Sequence, residues 1–240
     1  MRLRSVILLL SRFAPAWLLG PLLAGLVLTL PAVQAAQAEY RGCYFQKPQA
    51  FLIRKNFMLG KAIDGKKSNK AIRYRVEHYG HIEGAPFEEL NPQTAYSQAK
   101  AVSFMGVSLL VHKKIAPLMA CVERRLRKTC TKPNERYRPR AMGGFRTENS
   151  YRGIEVSNHL FGIAIDIDPD RNPCCGCVAP WPEHKACQGD VSSVFERTEL
   201  PRCWIDTFER YGFYWLGRDP QLRDTMHFEF LGNPERIVPD

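Results

Sequence analysis

The chain carries no second C-x-x-C pair to match Cys174 and Cys177, and structural four-thiolate zinc sites usually show two. That absence makes disulfides the first reading of its eight cysteines, with a zinc site at Cys174, Cys175, Cys177 and Cys187 as the alternative. No nucleic-acid recognition motif accompanies the scattered basic residues, which argues against a nucleic-acid partner. Acids are missing altogether from the first 38 residues. There Arg2, Arg4 and Arg12 lead into an apolar run over residues 14–30, and Ala36, Gln37 and Ala38 fit an A-x-A cleavage site. Residues 1–38 therefore read as a signal peptide of an exported protein, periplasmic or extracellular. The alternative is an uncleaved membrane anchor, since the run approaches the ~20 residues that span a bilayer. Pro15, Pro21 and Pro31 interrupt the run and favour the signal.

Losing that segment removes three arginines and no acid, which lowers the net charge from +10 to +7. The mature surface stays basic and favours an anionic partner such as a cell wall or a membrane. Residues 39–95 form an N-terminal extension without long periodicity, apart from an alternating stretch over residues 71–79 that reads as a strand. No chemistry is assigned to it, and His78 and His81 read as surface residues. Residues 94–127 read as helical, with Ile115, Leu118, Met119, Val122 and Leu126 at three- and four-residue intervals. Pro117 marks a kink there or a first turn. His112 reads as packed or exposed rather than as a ligand. Cys121 and Cys130, near the end of this helix, are the pair most readily joined.

The chemistry concentrates further on. From Ile163 to Asp168 the residues alternate strictly, so the isoleucines share one face of a strand and Ala164, Asp166 and Asp168 the other. Small residues at Gly162 and Ala164 leave room for a cleft beside the carboxylates, and His159 precedes the strand in a turn. In the second tract His227 and Glu229 share one face and Phe228 and Phe230 the core face. If the two strands are neighbours, His159, Asp166 and His227 converge. Two imidazoles and one carboxylate are a normal catalytic zinc set with a fourth position for water. Asp224, three positions before His227, is the candidate acid/base. Glu229 is placed to orient His227 from behind. Asp168 reads as a strand-end hydrogen-bonding residue, and Ser157 as a nucleophile only if a base activates it.

The pattern S-x-H-x-x-G-x-A-x-D at residues 157–166, followed by acid-x-x-H-F-E at 224–229, resembles the D-alanyl-D-alanine carboxypeptidase family of zinc peptidases. That family includes vancomycin-resistance dipeptidases and L-alanyl-D-glutamate endolysins, and the hedgehog signalling domain shares its architecture. The resemblance extends over about residues 107–231. It implies that His159, Asp166 and His227 bind one zinc ion, that Asp224 is the catalytic acid/base, and that Arg146 in Gly144-Phe145-Arg146 holds a substrate carboxylate or the developing oxyanion. The expected fold is α+β, a small antiparallel sheet carrying the zinc and packed against helices, within a zinc peptidase domain at residues 96–240. The expected function is hydrolysis of a peptidoglycan peptide, first as a D-alanyl-D-alanine carboxypeptidase. An L-alanyl-D-glutamate endopeptidase or a non-catalytic wall-binding protein is the alternative. Two departures from the family pattern stand out: Asp224, where many carboxypeptidases use Glu, and a Cys-rich insertion at about residues 172–188.

Overall fold

A computed structural model describes residues 43–60, 62–148 and 155–237, so the expected signal peptide lies outside the described residues. Its centre is an antiparallel sheet of four short strands in the order β5-β6-β8-β7: β5 (Met142–Gly143), β6 (Ala164–Ile167), β7 (Phe213–Trp215) and β8 (His227–Phe230). Two hairpins accompany it, β1 (Met58–Leu59) with β2 (Ala62–Ile63), and β3 (Ala99–Phe104) with β4 (Val107–His112). Three α-helices complete the described residues: α1 (Gly65–Tyr79), α2 (Ala116–Thr129) and α3 (Arg202–Arg210). The class is α+β, as the sequence predicts. No helix among the described residues is long and apolar enough to cross a membrane.

Alternation in β6 and β8 sends Ile165, Ile167, Phe228 and Phe230 into one fully buried core. Helix α3 closes that core from below. Phe208 sits 4.6 Å from Phe228 and 5.2 Å from Phe213, centroid to centroid, and Trp204 lies alongside. Each such ring contributes about 1.5–3 kcal/mol by leaving water. A second cluster joins Leu52, Phe57 and Ala71 to Tyr214, Leu216 and Leu231. The segment before residue 95 thus packs against the sheet through Leu52, Phe57 and Ala71.

Two secondary-structure expectations are corrected. Residues 71–79 belong to helix α1, because Ala71, Ile72, Arg75, Val76 and Tyr79 form a buried stripe at helical spacing. Asp64 caps that helix by accepting from the Lys67 amide at 3.1 Å. Residues 99–112 form a hairpin rather than a helix, turning at Met105 (φ 51°) and Gly106 (φ 90°). Helix α2 starts only at Ala116, and Pro117 sits in its first turn, where proline needs no amide partner.

All eight cysteines are paired, as Cys43–Cys121, Cys130–Cys203, Cys174–Cys177 and Cys175–Cys187. The expected Cys121–Cys130 bridge does not form. Nine residues of helix put those positions about 13 Å apart at ~1.5 Å per residue, well beyond the ~7 Å that a disulfide spans. Instead the two tie α2 to the start of the described chain and to α3. The thiolate-zinc alternative is likewise set aside, since each of its four sulfurs is bonded to another.

Candidate active site

Strands β6 and β8 are direct neighbours, and in their register Asp166 faces His227. The first tract makes a tight turn over residues 158–162 before entering β6. This turn carries His159 back over the sheet, fully buried. His227 Nδ1 lies 2.8 Å from Asp166 Oδ1, His159 Nε2 lies 3.2 Å from Asp166 Oδ2, and the two imidazole nitrogens are 3.1 Å apart. Three side chains from two distant tracts of the chain thus meet at one point.

Their outer partners decide which atoms point inward. His159 Nδ1 sits 2.6 Å from the Gly144 carbonyl, which only accepts, so Nδ1 carries the hydrogen and Nε2 turns a lone pair to the centre. His227 Nε2 lies 3.2 Å from Glu229 Oε1, which orients the ring in the same way. Burial opposes charge on His227, but the hydrogen bonds to Asp166 and Glu229 outweigh it and raise its pKa to about 10. A proton on His227 Nδ1 satisfies one inward acceptor; a cation at the meeting point satisfies all three. The donor separations of 2.8–3.2 Å approach the roughly 3.3 Å edge of a tetrahedron with bonds of about 2.0–2.1 Å. Two imidazoles and a carboxylate at these distances fit a zinc-type ion.

Asp224 lines the same cleft as Asp166 and Arg146, a space of about 420 Å³. It is buried, and no hydrogen bond among the described residues reaches its Oδ1. Burial, with the nearby Asp166 adding to it against His227, raises its pKa to about 7. Arg146 is half-exposed and extends a guanidinium nitrogen to 3.9 Å from Asp166 Oδ2. Ser157 is buried and its hydroxyl accepts from the His159 amide at 3.3 Å, so it shapes the turn. Asp168 leaves the strand with φ 43° and does not join Asp166 at the histidines. Its carboxylate accepts from Tyr137 at 2.6 Å and from the Arg140 and Ala141 amides at 2.7 Å each.

Residues 152–230 match the family model described as D-alanyl-D-alanine carboxypeptidase. The matched segment contains Ser157, His159, Asp166, Asp224, His227 and Glu229, and is shorter than the resemblance read from the motifs; Arg146 lies just before it. No curated protein and no solved structure gives a significant match to the chain.

One expectation about space is corrected. The room beside Gly162 is not a cleft, because the Phe145 ring fills it: a Cβ on Gly162 would lie 2.0 Å from that ring. Gly144 meets the Leu110 carbonyl just as closely. Gly162 seats the Gly-Phe-Arg tract against the histidine turn, and Gly144 seats it against β4. Cys174, Cys177 and Asp224 also gather within 4.8 Å, but the two sulfurs are bonded together and offer no thiolate.

Several residues at the site carry no signal in the sequence. Arg54, from a 3-10 turn before β1, reaches the cleft wall and pairs with Glu155 at 2.7 Å and Asp219 at 3.3 Å. Arg75 of α1 is buried and donates to the Leu52 carbonyl at 3.1 Å, and its charge helps hold Glu229 ionised. Trp181 and Val178 of the Cys-rich insertion line the cleft opposite. His78 and His81 bond backbone carbonyls at 2.8 Å, and His112 is buried against Tyr79, where loss of solvent lowers its pKa to about 4.

Proposed function

We propose that this protein is an exported peptidase that hydrolyses an amide in a peptidoglycan peptide, with one zinc ion held by His159, Asp166 and His227. The convergence of two inward imidazole lone pairs and a carboxylate, with both rings oriented from behind, carries this reading. When bound, zinc supplies Lewis acidity and makes the conjugate base of water accessible near neutral pH. Asp224 takes a proton from the attacking water and delivers it to the leaving amine, a task suited to a buried carboxylate whose pKa is pushed towards neutrality. Arg146 holds the substrate carboxylate or the developing oxyanion with its planar fork. Four disulfides support export, since such bridges persist in oxidising compartments.

The first choice of bond is D-alanyl-D-alanine, in line with the description of the matching family model. L-alanyl-D-glutamate stands second because the acid is Asp224 rather than Glu. Elemental analysis of the purified protein should find one zinc per chain, and digestion of defined muropeptides should release D-alanine, read by mass spectrometry. Release of an L-alanine-terminated fragment instead selects the endopeptidase. A protein with stoichiometric metal and no peptide cleavage overturns the catalytic reading and leaves a wall-binding protein.

A further inference from the structure

Away from the candidate active site, residues 136–140 run Arg-Tyr-Arg-Pro-Arg between α2 and β5. Their burial alternates: Arg136, Arg138 and Arg140 are exposed, while Tyr137 and Pro139 are buried. In an extended tract, alternate residues project to the same side about 7 Å apart. The three guanidinium groups therefore form a comb. They line a concavity of about 640 Å³ with Arg171, closed on the far side by the Met105–Gly106 hairpin turn.

Three features separate this concavity from an ordinary solvated surface. No residue lining it is an acid, and no carboxylate among the described residues pairs with Arg136, Arg138 or Arg140. Every cation lining it is arginine, whose planar fork suits two-point contact with phosphate. The comb also stands on a rigid base. Buried Asp168 takes the Tyr137 hydroxyl and the Arg140 and Ala141 amides, and Arg171 bonds Asp168 at 3.1 Å while stacking 4.3 Å over the Tyr137 ring. Holding the tract extended in this way spares a ligand the cost of ordering it.

We infer that this concavity binds a linear polymer of repeating phosphodiesters through Arg136, Arg138 and Arg140. Successive phosphates about 7 Å apart meet successive guanidinium groups. The Tyr137 ring is buried beneath Arg171 and offers no platform for stacked bases, so recognition rests on the charged backbone alone. A concave wall suits a single strand better than a flat bilayer surface. The inference does not depend on the peptidase reading; such a site would hold the protein on an anionic matrix.

The test uses the disulfide-bonded mature protein and measures binding of poly(glycerol phosphate) by calorimetry across a salt series. Three phosphate contacts should give a slope of log K against log salt of about −2, at ~0.7 per contact. The variant R136Q/R138Q/R140Q should bind at least tenfold more weakly and lose most of that slope, with an unchanged thermal midpoint. The control K55Q/K66Q/K100Q removes equal charge from exposed positions elsewhere and should bind like the parent. Equal loss in both variants would mean a diffuse charge effect and overturn the site. So would tight binding to phosphatidylglycerol vesicles with none to the polymer, which would make the patch a membrane contact.

Discussion

Asp224 is buried next to Asp166 and His227 with one carboxylate oxygen that no hydrogen bond from the described residues reaches, an arrangement that costs stability whenever the group is charged. Two outcomes follow at the scale of this residue. Asp224→Asn should lower turnover by about a hundred- to ten-thousandfold, the usual contribution of a positioned acid/base. Zinc content should stay the same, because Asp224 is outside the three converging donors; loss of metal would make it a ligand instead. The second outcome concerns pH. With its folded pKa raised from the ordinary 3.8 to about 7, Asp224 stabilises the metal-free fold fully below about pH 4, and that contribution is lost as pH rises through 7. Thermal midpoints of the chelated parent should therefore fall relative to those of Asp224→Asn between pH 4 and 8. Parallel curves for the two proteins would show that the carboxyl is not shifted.

Among the elements, the histidine turn and the Gly-Phe-Arg tract act as one unit. Gly162 has φ +65°, and the Phe145 ring occupies the place of its missing Cβ. Phe145 in turn hangs its amide on the Leu110 carbonyl of β4 at 2.8 Å, and the Arg146 amide reaches the His159 carbonyl at 3.3 Å. Gly162→Ala forces both a strained backbone and a displaced ring. It should cost at least 1–3 kcal/mol in denaturant unfolding. It should also weaken zinc retention in a chelator competition, since His159 and Arg146 sit on either side of the contact. A variant that unfolds early yet keeps its zinc affinity would separate the packing from the site.

For the molecule as a whole, the four disulfides divide into two kinds of work. Cys43–Cys121 and Cys130–Cys203 close long stretches of chain, with separations of 78 and 73 residues, and join the helices to the rest of the core. Replacing Cys130 and Cys203 together by Ser should cost about 2–4 kcal/mol. Cys174–Cys177 closes a separation of only 3 residues, but Cys174 pairs with Asp224 in an isolated β-bridge and the Gly176 amide donates to the Leu222 carbonyl at 2.6 Å. Removing that bridge should lower kcat far more than it lowers the thermal midpoint. The reverse outcome would give the insertion a purely structural role.

Local pattern alone determined much about this protein. Period-two alternation gave β6 and β8 their buried faces, and it put Asp166 on one strand and His227 and Glu229 on the other. The cysteine count in a chain with a signal-like leader pointed to bridges, though not to their partners. Only the tertiary structure decided the rest. Helix α1 is polar over most of its surface, so its narrow buried stripe passed for alternation until packing revealed its period. The hairpin over residues 99–112 depended on a Met-Gly turn whose signal is weak beside the helical pattern that follows it. The Cys43–Cys121 and Cys130–Cys203 pairings, the Gly144 carbonyl behind His159, and the Arg54 pairs at the cleft wall join residues too far apart in sequence for local pattern to link. Alternation and spacing report on neighbours a few residues away, such as Glu229 behind His227; contacts closed across longer loops, such as the Gly144 carbonyl that aims His159, leave no such trace.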